Sequence, residues 1–282
     1  MSQARMWSGR EVAAALMDDL RAEVAAMPVA PRLVFVRAGD DPASASYVRS
    51  KQRLAGKAGV RAETRVLEPA TRQADLMALV AELNADPDVD GILVQLPLYP
   101  HLDAVPVLEA IDPAKDVDGF HPVNVGRLWS GQPGLVPATP AGLIRILDHA
   151  DYDLTGRDVV IVGRSNLVGK PAAALFLQRH ATVTLAHSRT RDLAGHCRRA
   201  DVIVAAAGRP GMIRPDMVKA GAVLLDVGQS PVDGVLRGDV DPEVAEVAAA
   251  MTPTPGGTGP MTVAMVVANT VKAAQARRGA GA

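Results

Sequence analysis

The run Val159-Val160-Ile161-Val162, followed at once by Gly163-Arg164-Ser165-Asn166-Leu167-Val168-Gly169-Lys170-Pro171, constrains the fold of this chain more than any other stretch. Consecutive β-branched residues read as a buried strand, and Pro171 suits the first turn of a helix. Glycines between the two let backbone N–H groups at a helix N-terminus come close to a phosphate. The spacing is neither G-x-G-x-x-G nor a P-loop. Five residues instead of four separate the glycines, and Pro171 stands where a magnesium-binding Ser or Thr is required. Alone, such a turn fits a structural tight corner as well as a phosphate cradle; the alternation around it favours a dinucleotide.

That alternation occurs twice. An amphipathic helix over Gly9 to Ala26 precedes a strand at Leu33 to Val36, the turn Gly39-Asp40-Asp41-Pro42 and a helix from Ser44 to Ala58. A strand from Val60 to Leu67, a capped helix from Thr71 to Asn84 and a strand at Gly91 to Val94 complete βαβαβ, hence a parallel sheet. From Pro97 to Pro140 prolines and glycines are dense and periodicity fades, which predicts a linker and a functional loop, with the domain boundary between 125 and 142. Thr139-Pro140 reads as cap and first-turn proline of a helix to His149. Strands at Asp158 to Val162, Thr182 to Ala186, Val202 to Ala206 and Ala222 to Val227, with helices at Lys170 to Arg179 and near Leu193, predict a second sheet of nucleotide-binding type. A last apolar helix, Met261 to Ala276, follows the glycine- and proline-rich tract Pro253 to Pro260, and its end, Arg277 onward, should fray.

The expected architecture is α/β with two α/β domains, the second Rossmann-like and dinucleotide-binding, and an active-site cleft between them. The first would span 1–135, completed by the helix 260–282, and the second 136–259. A length of 282 residues suits two cores. Lys plus Arg number 30 against 31 Asp plus Glu, with no long run of either sign, so neither nucleic acid nor a membrane surface is expected as partner. Cys197, the single cysteine, excludes an internal disulfide and a multi-cysteine metal site. No signal peptide or membrane span is legible, and the cytoplasm is the expected compartment.

An NAD-type site places Asp or Glu at the end of the second strand, to bond the ribose 2′-hydroxyl. Here that stretch is Ala186-His187-Ser188-Arg189-Thr190-Arg191. It lacks a carboxylate to repel a 2′-phosphate, Ser188 can donate a hydrogen bond, and Arg164, Arg189 or Arg191 can supply charge, which favours NADP over a merely solvated basic loop. In the first half, Tyr47 and Lys51 share a helix face. Gln95 ends an apolar run at a sheet's carboxyl edge, where open α/β sheets bind ligands. The stretch Lys115-Asp116-Val117-Asp118-Gly119-Phe120-His121-Pro122 offers carboxylates and a histidine. Taken singly, these residues also fit a surface helix, a strand-end hydrogen bond, turn formers and a packed loop histidine.

Together, Tyr47-Val48-Arg49-Ser50-Lys51, Val94-Gln95-Leu96-Pro97-Leu98, Lys115-Asp116-Val117-Asp118-Gly119, Val162-Gly163-Arg164-Ser165 with Val168-Gly169, and Thr252-Pro253 with Pro255-Gly256-Gly257 and Gly259-Pro260-Met261-Thr262 resemble the bifunctional methylenetetrahydrofolate dehydrogenase/cyclohydrolase family over nearly the whole chain. The resemblance implies NADP-dependent oxidation of 5,10-methylenetetrahydrofolate to the 5,10-methenyl form, its hydrolysis to 10-formyltetrahydrofolate, and a homodimer. It also implies roles. Lys51 is the central catalytic residue, Gln95 its hydrogen-bonding neighbour, Tyr47 a ring stacking on the folate and Asp118 the carboxylate holding the pterin, with Ser44, Pro97, Gly257 and Pro260 on the substrate side. On the cofactor side stand Gly163, Arg164, Ser165, Val168, Gly169, His187, Ser188, Gly208, Gln229 and Thr139; no metal is implied.

Tyr99, Ala138 and Thr258 depart from the family pattern, where proline, cysteine and valine are usual. Tyr99 and Thr258 are expected to alter affinities, not the type of reaction. Two other readings compete: a shikimate-dehydrogenase-like or short-chain reductase using Tyr47 and Lys51 as proton donors, and a non-enzymatic folate or dinucleotide sensor. In short-chain reductases that pair follows the glycine turn, whereas here it precedes it, and a sensor has no need of Lys51.

Overall fold

The structure is a computed structural model describing residues 3–39 and 41–279, with only the backbone at 42 and 43. Asp40 of the turn expected after the first strand, and the last three residues of the expected frayed end, lie outside the described residues. In chain order the elements are β1 (Arg5–Met6), α1 (Gly9–Ala25), β2 (Arg32–Arg37), α2 (Pro42–Lys57), β3 (Arg61–Val66), α3 (Gln73–Ala85), β4 (Gly91–Gln95), α4 (Ala104–Ala110), α5 (Pro122–Trp129) and α6 (Ala138–His149). They continue with β5 (Asp158–Val162), α7 (Gly169–Gln178), β6 (Thr182–Ala186), α8 (Leu193–Arg199), β7 (Val202–Ala205), β8 (Val223–Asp226), β9 (Ser230–Val232), β10 (Val235–Arg237), β11 (Ala250–Met251) and α9 (Thr258–Gly279). The chain divides into two compact units, 15–138 with 263–282, and 139–262 with 1–14. Among the described residues no helix is long and apolar enough to cross a membrane.

The unit holding 15–138 is built on a parallel three-stranded sheet of order β3-β2-β4. β2 lies between its neighbours, and Leu33, Val34, Phe35 and Val36 are fully buried, which accounts for an apolar run without polar alternation. Against the sheet, α3 buries Leu76, Val80 and Leu83, the stripe of a helix packed on one face. Because β2 leads through α2 to β3 on one side while β4 joins on the other, the strand order reverses at β2, a position where open α/β sheets bind ligands.

The unit holding 139–262 carries a six-stranded parallel sheet of order β1-β11-β8-β7-β5-β6. Its order reverses at β5, flanked by β6 and β7, and Gly163 leaves β5 at that point. β5 and β6 have the bounds their sequence predicts. β1 and β11, absent from the expected elements, pair with each other through two residues each, too few to show any alternation. The β9–β10 hairpin was likewise not anticipated.

The stretch from Pro97 to Pro140 is expected to lack periodic structure, yet it contains α4 and α5. Pro122 opens α5, so this proline starts a helix where proline density suggested loop. At the carboxyl end, Arg277 and Arg278 are held against expectation: both reach the buried Asp90 carboxylate, at 3.1 and 2.6 Å. Thr139 does not act as the expected cap. It lies within α6, and its hydroxyl bonds that of Thr262 at 2.9 Å.

Candidate active site

In the unit built on β2, three elements meet near the point where the strand order reverses. α2 carries Lys51, buried to 5 % exposure, and its Nζ donates to Oε1 of Gln95 at the end of β4, at 3.2 Å. Gln95 is oriented in turn by its amide, which donates to the Leu96 carbonyl at 2.8 Å. One helical turn before Lys51, the Tyr47 ring lies with its centroid 5.1 Å from Nζ. Burial lowers the Lys51 pKa, opposed by the charge of Asp118. The same burial pushes Asp118 up to about 6, Lys51 pulling it down and Asp116 pushing it further up. Tyr47 is raised by burial and then by Asp118.

The loop that carries Asp118 is fixed by hydrogen bonds involving Lys115, Asp116, His121 and Asn269. Lys115, 2 % exposed, points its ammonium at the carbonyls of Leu83, Asn84 and Asp86, at 3.0, 2.7 and 2.7 Å, and so caps the C-terminus of α3. Its backbone meets β4 through Ile92. The Asp116 carboxylate accepts from the N–H groups of Gly119 and His121 and from Asn124 Nδ2. From α9, Asn269 donates to the Val117 and Val136 carbonyls, both at 2.8 Å. His121 uses both ring nitrogens, one accepting from Val123 N–H as the cap of α5 and one against the Glu109 carbonyl. Of the titratable candidates in this loop, the geometry leaves Asp118 beside Lys51 and gives Lys115, Asp116 and His121 structural partners. Ser44 is buried, and its hydroxyl bonds Asp41 Oδ2 at 2.7 Å and the Leu96 carbonyl at 3.3 Å, joining the start of α2 to the segment holding Pro97.

Tyr99 turns its hydroxyl to the Leu67 carbonyl and packs in the core of this unit. The side chain at this departure is thus part of the core packing. Ala138, 1 % exposed, is buried at the start of α6.

In the other unit, the glycine turn is closed by tight backbone approach. A Cβ on Gly163 would lie 2.1 Å from the Ala206 carbonyl oxygen, and a Cβ on Gly169 2.1 Å from that of Gly163. Gly163 also has φ +138°, which disfavours any side chain. The Ser165 hydroxyl accepts from the N–H groups of Val168 and Gly169 at the start of α7. A cavity of about 260 Å³ opens here, lined by Gly163, Arg164, Ser165, His187, Ser188 and, unforeseen from sequence, Arg209. Arg164, Ser188 and Arg209 are exposed, and no acidic partner of either arginine occurs among the described residues. The 187–190 turn closes on itself through Thr190 Oγ1 and His187 Nδ1. Gly208 stands in the turn after β7, and Gln229 lies against Gly259, 2.5 Å from where its Cβ would be. Thr258 spends its hydroxyl on the Asp226 carbonyl at 3.0 Å, so this departure anchors the start of α9. Gly257 and Pro260 lie in the same tract, where a Cβ on Gly257 would meet the Pro253 carbonyl at 2.6 Å.

A parallel sheet with a glycine turn at its reversal point, in a chain that also buries a lysine between a glutamine and a carboxylate, defines a nicotinamide-dinucleotide-dependent α/β oxidoreductase. The model of the tetrahydrofolate dehydrogenase/cyclohydrolase catalytic domain matches residues 7–118, and that of the family's NAD(P)-binding domain residues 137–278. A bifunctional protein FolD of Thermus thermophilus is 54 % identical over 275 residues, 98 % of each chain. A bifunctional FolD enzyme, methylenetetrahydrofolate dehydrogenase/cyclohydrolase, from Campylobacter jejuni superposes with TM-score 0.95 at 41 % identity, over 97 % of this chain and 99 % of that one. The Trypanosoma brucei methylenetetrahydrofolate dehydrogenase-cyclohydrolase, solved with NADP and an inhibitor, gives 0.93 at 37 % identity, with both chains fully covered. The chain belongs to the tetrahydrofolate dehydrogenase/cyclohydrolase family.

Proposed function

We propose that this protein oxidises 5,10-methylenetetrahydrofolate with NADP and hydrolyses the resulting 5,10-methenyl compound to 10-formyltetrahydrofolate. The observation that carries this is the buried Lys51 held by Gln95 next to Asp118, in a chain of this family. Incubation with 5,10-methylenetetrahydrofolate and NADP is expected to yield NADPH; its absence would refute the proposal. A homodimer and residence in the cytoplasm are proposed with it.

The residues fit the dinucleotide: neither Gly163 nor Gly169 leaves room for a Cβ, and Arg164 and Ser188 line the cavity beside the turn. Gly163, Ser165, Val168 and Gly169 would hold its phosphates, Arg164, His187 and Ser188 its adenosine end, and Thr139, Gly208 and Gln229 flank it. When bound, NADP supplies the hydride acceptor. Replacing Arg164 and Ser188 together by alanine is expected to lower kcat/KM for NADP by roughly tenfold or more while changing NAD use little, since charge-assisted bonds to a 2′-phosphate are lost. Equal losses with both dinucleotides would argue against 2′-phosphate recognition.

On the folate side, loss of hydride leaves a cationic methenyl carbon, and a neutral amine opposes that charge less than an ammonium. Burial favours the neutral form of Lys51. Neutral, it takes a proton from the water that attacks the methenyl carbon, and it returns one to the ring nitrogen that departs as the ring opens. Gln95 keeps the amine oriented, Tyr47 offers a ring to stack on the substrate, and Ser44 and Pro97 shape its surroundings in this unit.

Asp118 holds the pterin as a carboxylate acceptor. Its pKa of about 6 makes this contact pH-dependent: protonation removes both the charge and an acceptor. Folate KM is therefore expected to rise as pH falls through about 6. The Asp118→Asn variant should show a higher KM at neutral pH with that acid limb gone. A limb that survives in the variant assigns it to another group.

A further inference from the structure

The proposed catalytic steps make no use of Asp239, an aspartate with no exposed surface in the unit built on the six-stranded sheet. Its Oδ2 accepts from the N–H groups of Ala207 and Gly208 at 2.6 and 2.8 Å, and its Oδ1 from that of Arg209 at 2.7 Å. Three successive N–H groups converging on one carboxylate form the nest that proteins use to bind anions, here filled by the chain's own side chain. Such bonds are charge-assisted and short, and they fix a turn that would otherwise present its donors to solvent.

The turn follows β7, the strand next to β5 on the side where the sheet order reverses. Ala206, Ala207 and Arg209 line the same cavity as Gly163, Arg164, His187 and Ser188. Asp239 is itself held from behind. Its N–H donates to Asp226 Oδ1 at 3.0 Å, that of Val240 to Asp226 Oδ2 at 3.1 Å, and Asp226 N–H to Thr252 Oγ1 at 2.8 Å. The packing has no slack: a Cβ on Gly228 would come within 2.4 Å of Asp239, and one on Gly238 within 1.8 Å of Asp226 Oδ2. Two buried acids thus brace one wall of the cavity. That wall presents an arginine for which no acidic partner occurs among the described residues.

We propose that Asp239 is a positioning residue of the dinucleotide site, fixing the 207–209 turn so that Arg209 stands in the cavity wall as a second cation, with Arg164, for the phosphate that distinguishes NADP from NAD. The inference rests on the NADP reading given above and adds a specificity-determining residue on a different strand end from the 187–191 stretch. It also explains why an acid is buried so close to a site for an anion: its charge is spent on three N–H groups instead of facing the cavity.

The test compares kcat/KM for NADP and NAD, at saturating 5,10-methylenetetrahydrofolate, in the wild type, Arg209→Gln, Asp239→Asn and Gly208→Ala. Arg209 is exposed, so its variant is expected to fold. Gly208→Ala strains the same turn, whose φ at Gly208 is +65°, with Asp239 left in place, and so covers a failure of Asp239→Asn to fold. A wild type without preference for NADP sinks the NADP reading itself. Given that preference, Arg209→Gln is expected to cut the NADP-to-NAD ratio roughly tenfold, through KM for NADP and not kcat. Asp239→Asn and Gly208→Ala should shift the ratio in the same direction. An unchanged ratio in Arg209→Gln, or losses in the other two that fall equally on both dinucleotides, overturns the inference.

Discussion

Replacing Lys51 by alanine is expected to slow hydrolysis of 5,10-methenyltetrahydrofolate by about two to four orders of magnitude, the usual worth of a positioned acid–base group. Lys51 is buried with its Nζ on Gln95, and burial lowers its pKa, which favours the neutral amine that a base requires. Asp118 stands beside it with a pKa of about 6 but is committed to the pterin in this scheme, and Tyr47 is shifted upward, away from neutrality. Oxidation of the methylene compound depends more on placement of the two reactants than on a base, so it should suffer less, and the methenyl compound should accumulate. Lys51→Arg is not expected to restore hydrolysis, because a guanidinium does not give up its proton. Hydrolysis within threefold of wild type in Lys51→Ala would remove this residue from the centre of the scheme.

Gly169→Ala is expected to have the largest effect on the dinucleotide side. The new Cβ would sit 2.1 Å from the Gly163 carbonyl oxygen and 2.9 Å from Arg164 Cα. Both are backbone atoms, so α7 must retreat or the turn must open. Overpacking of this kind costs about 1–3 kcal/mol. A displacement of about 1 Å at a substrate-positioning element can lower the rate by roughly a hundredfold. Because hydrolysis of the methenyl compound does not consume a dinucleotide, it should persist while NADP-dependent oxidation falls. Titration of NADPH fluorescence together with both activity assays checks this, and an unchanged affinity would show that the turn does not carry the phosphates.

Much of this was legible in the residues, and what was not has physical reasons. From Val159 onward β5, and all of β6, are continuous apolar or β-branched runs, so pattern alone places these strands. Tyr47, Lys51 and Gln95 are legible as candidates, and the structure brings them together, because helix periodicity and the carboxyl end of a strand both have a signature in sequence. Asn269, Asp226 and Asp239 have none, because most of their partners are backbone groups contributed by remote segments. Asn269, for example, reaches carbonyls at Val117 and Val136. Arg277 and Arg278, expected to fray, show the same limit, since their partner Asp90 lies far away in the chain. Proline misled in the opposite direction at α5, where it marks the first turn of a helix.

The most direct test of two reactions sharing one lysine is a single mixing experiment with the wild-type protein, 5,10-methylenetetrahydrofolate and NADP, following NADPH and the methenyl compound together by absorbance. NADPH rising without accumulation of the methenyl compound, and accumulation appearing in Lys51→Ala, is the predicted result. A wild type in which the methenyl compound accumulates in step with NADPH would contradict the account.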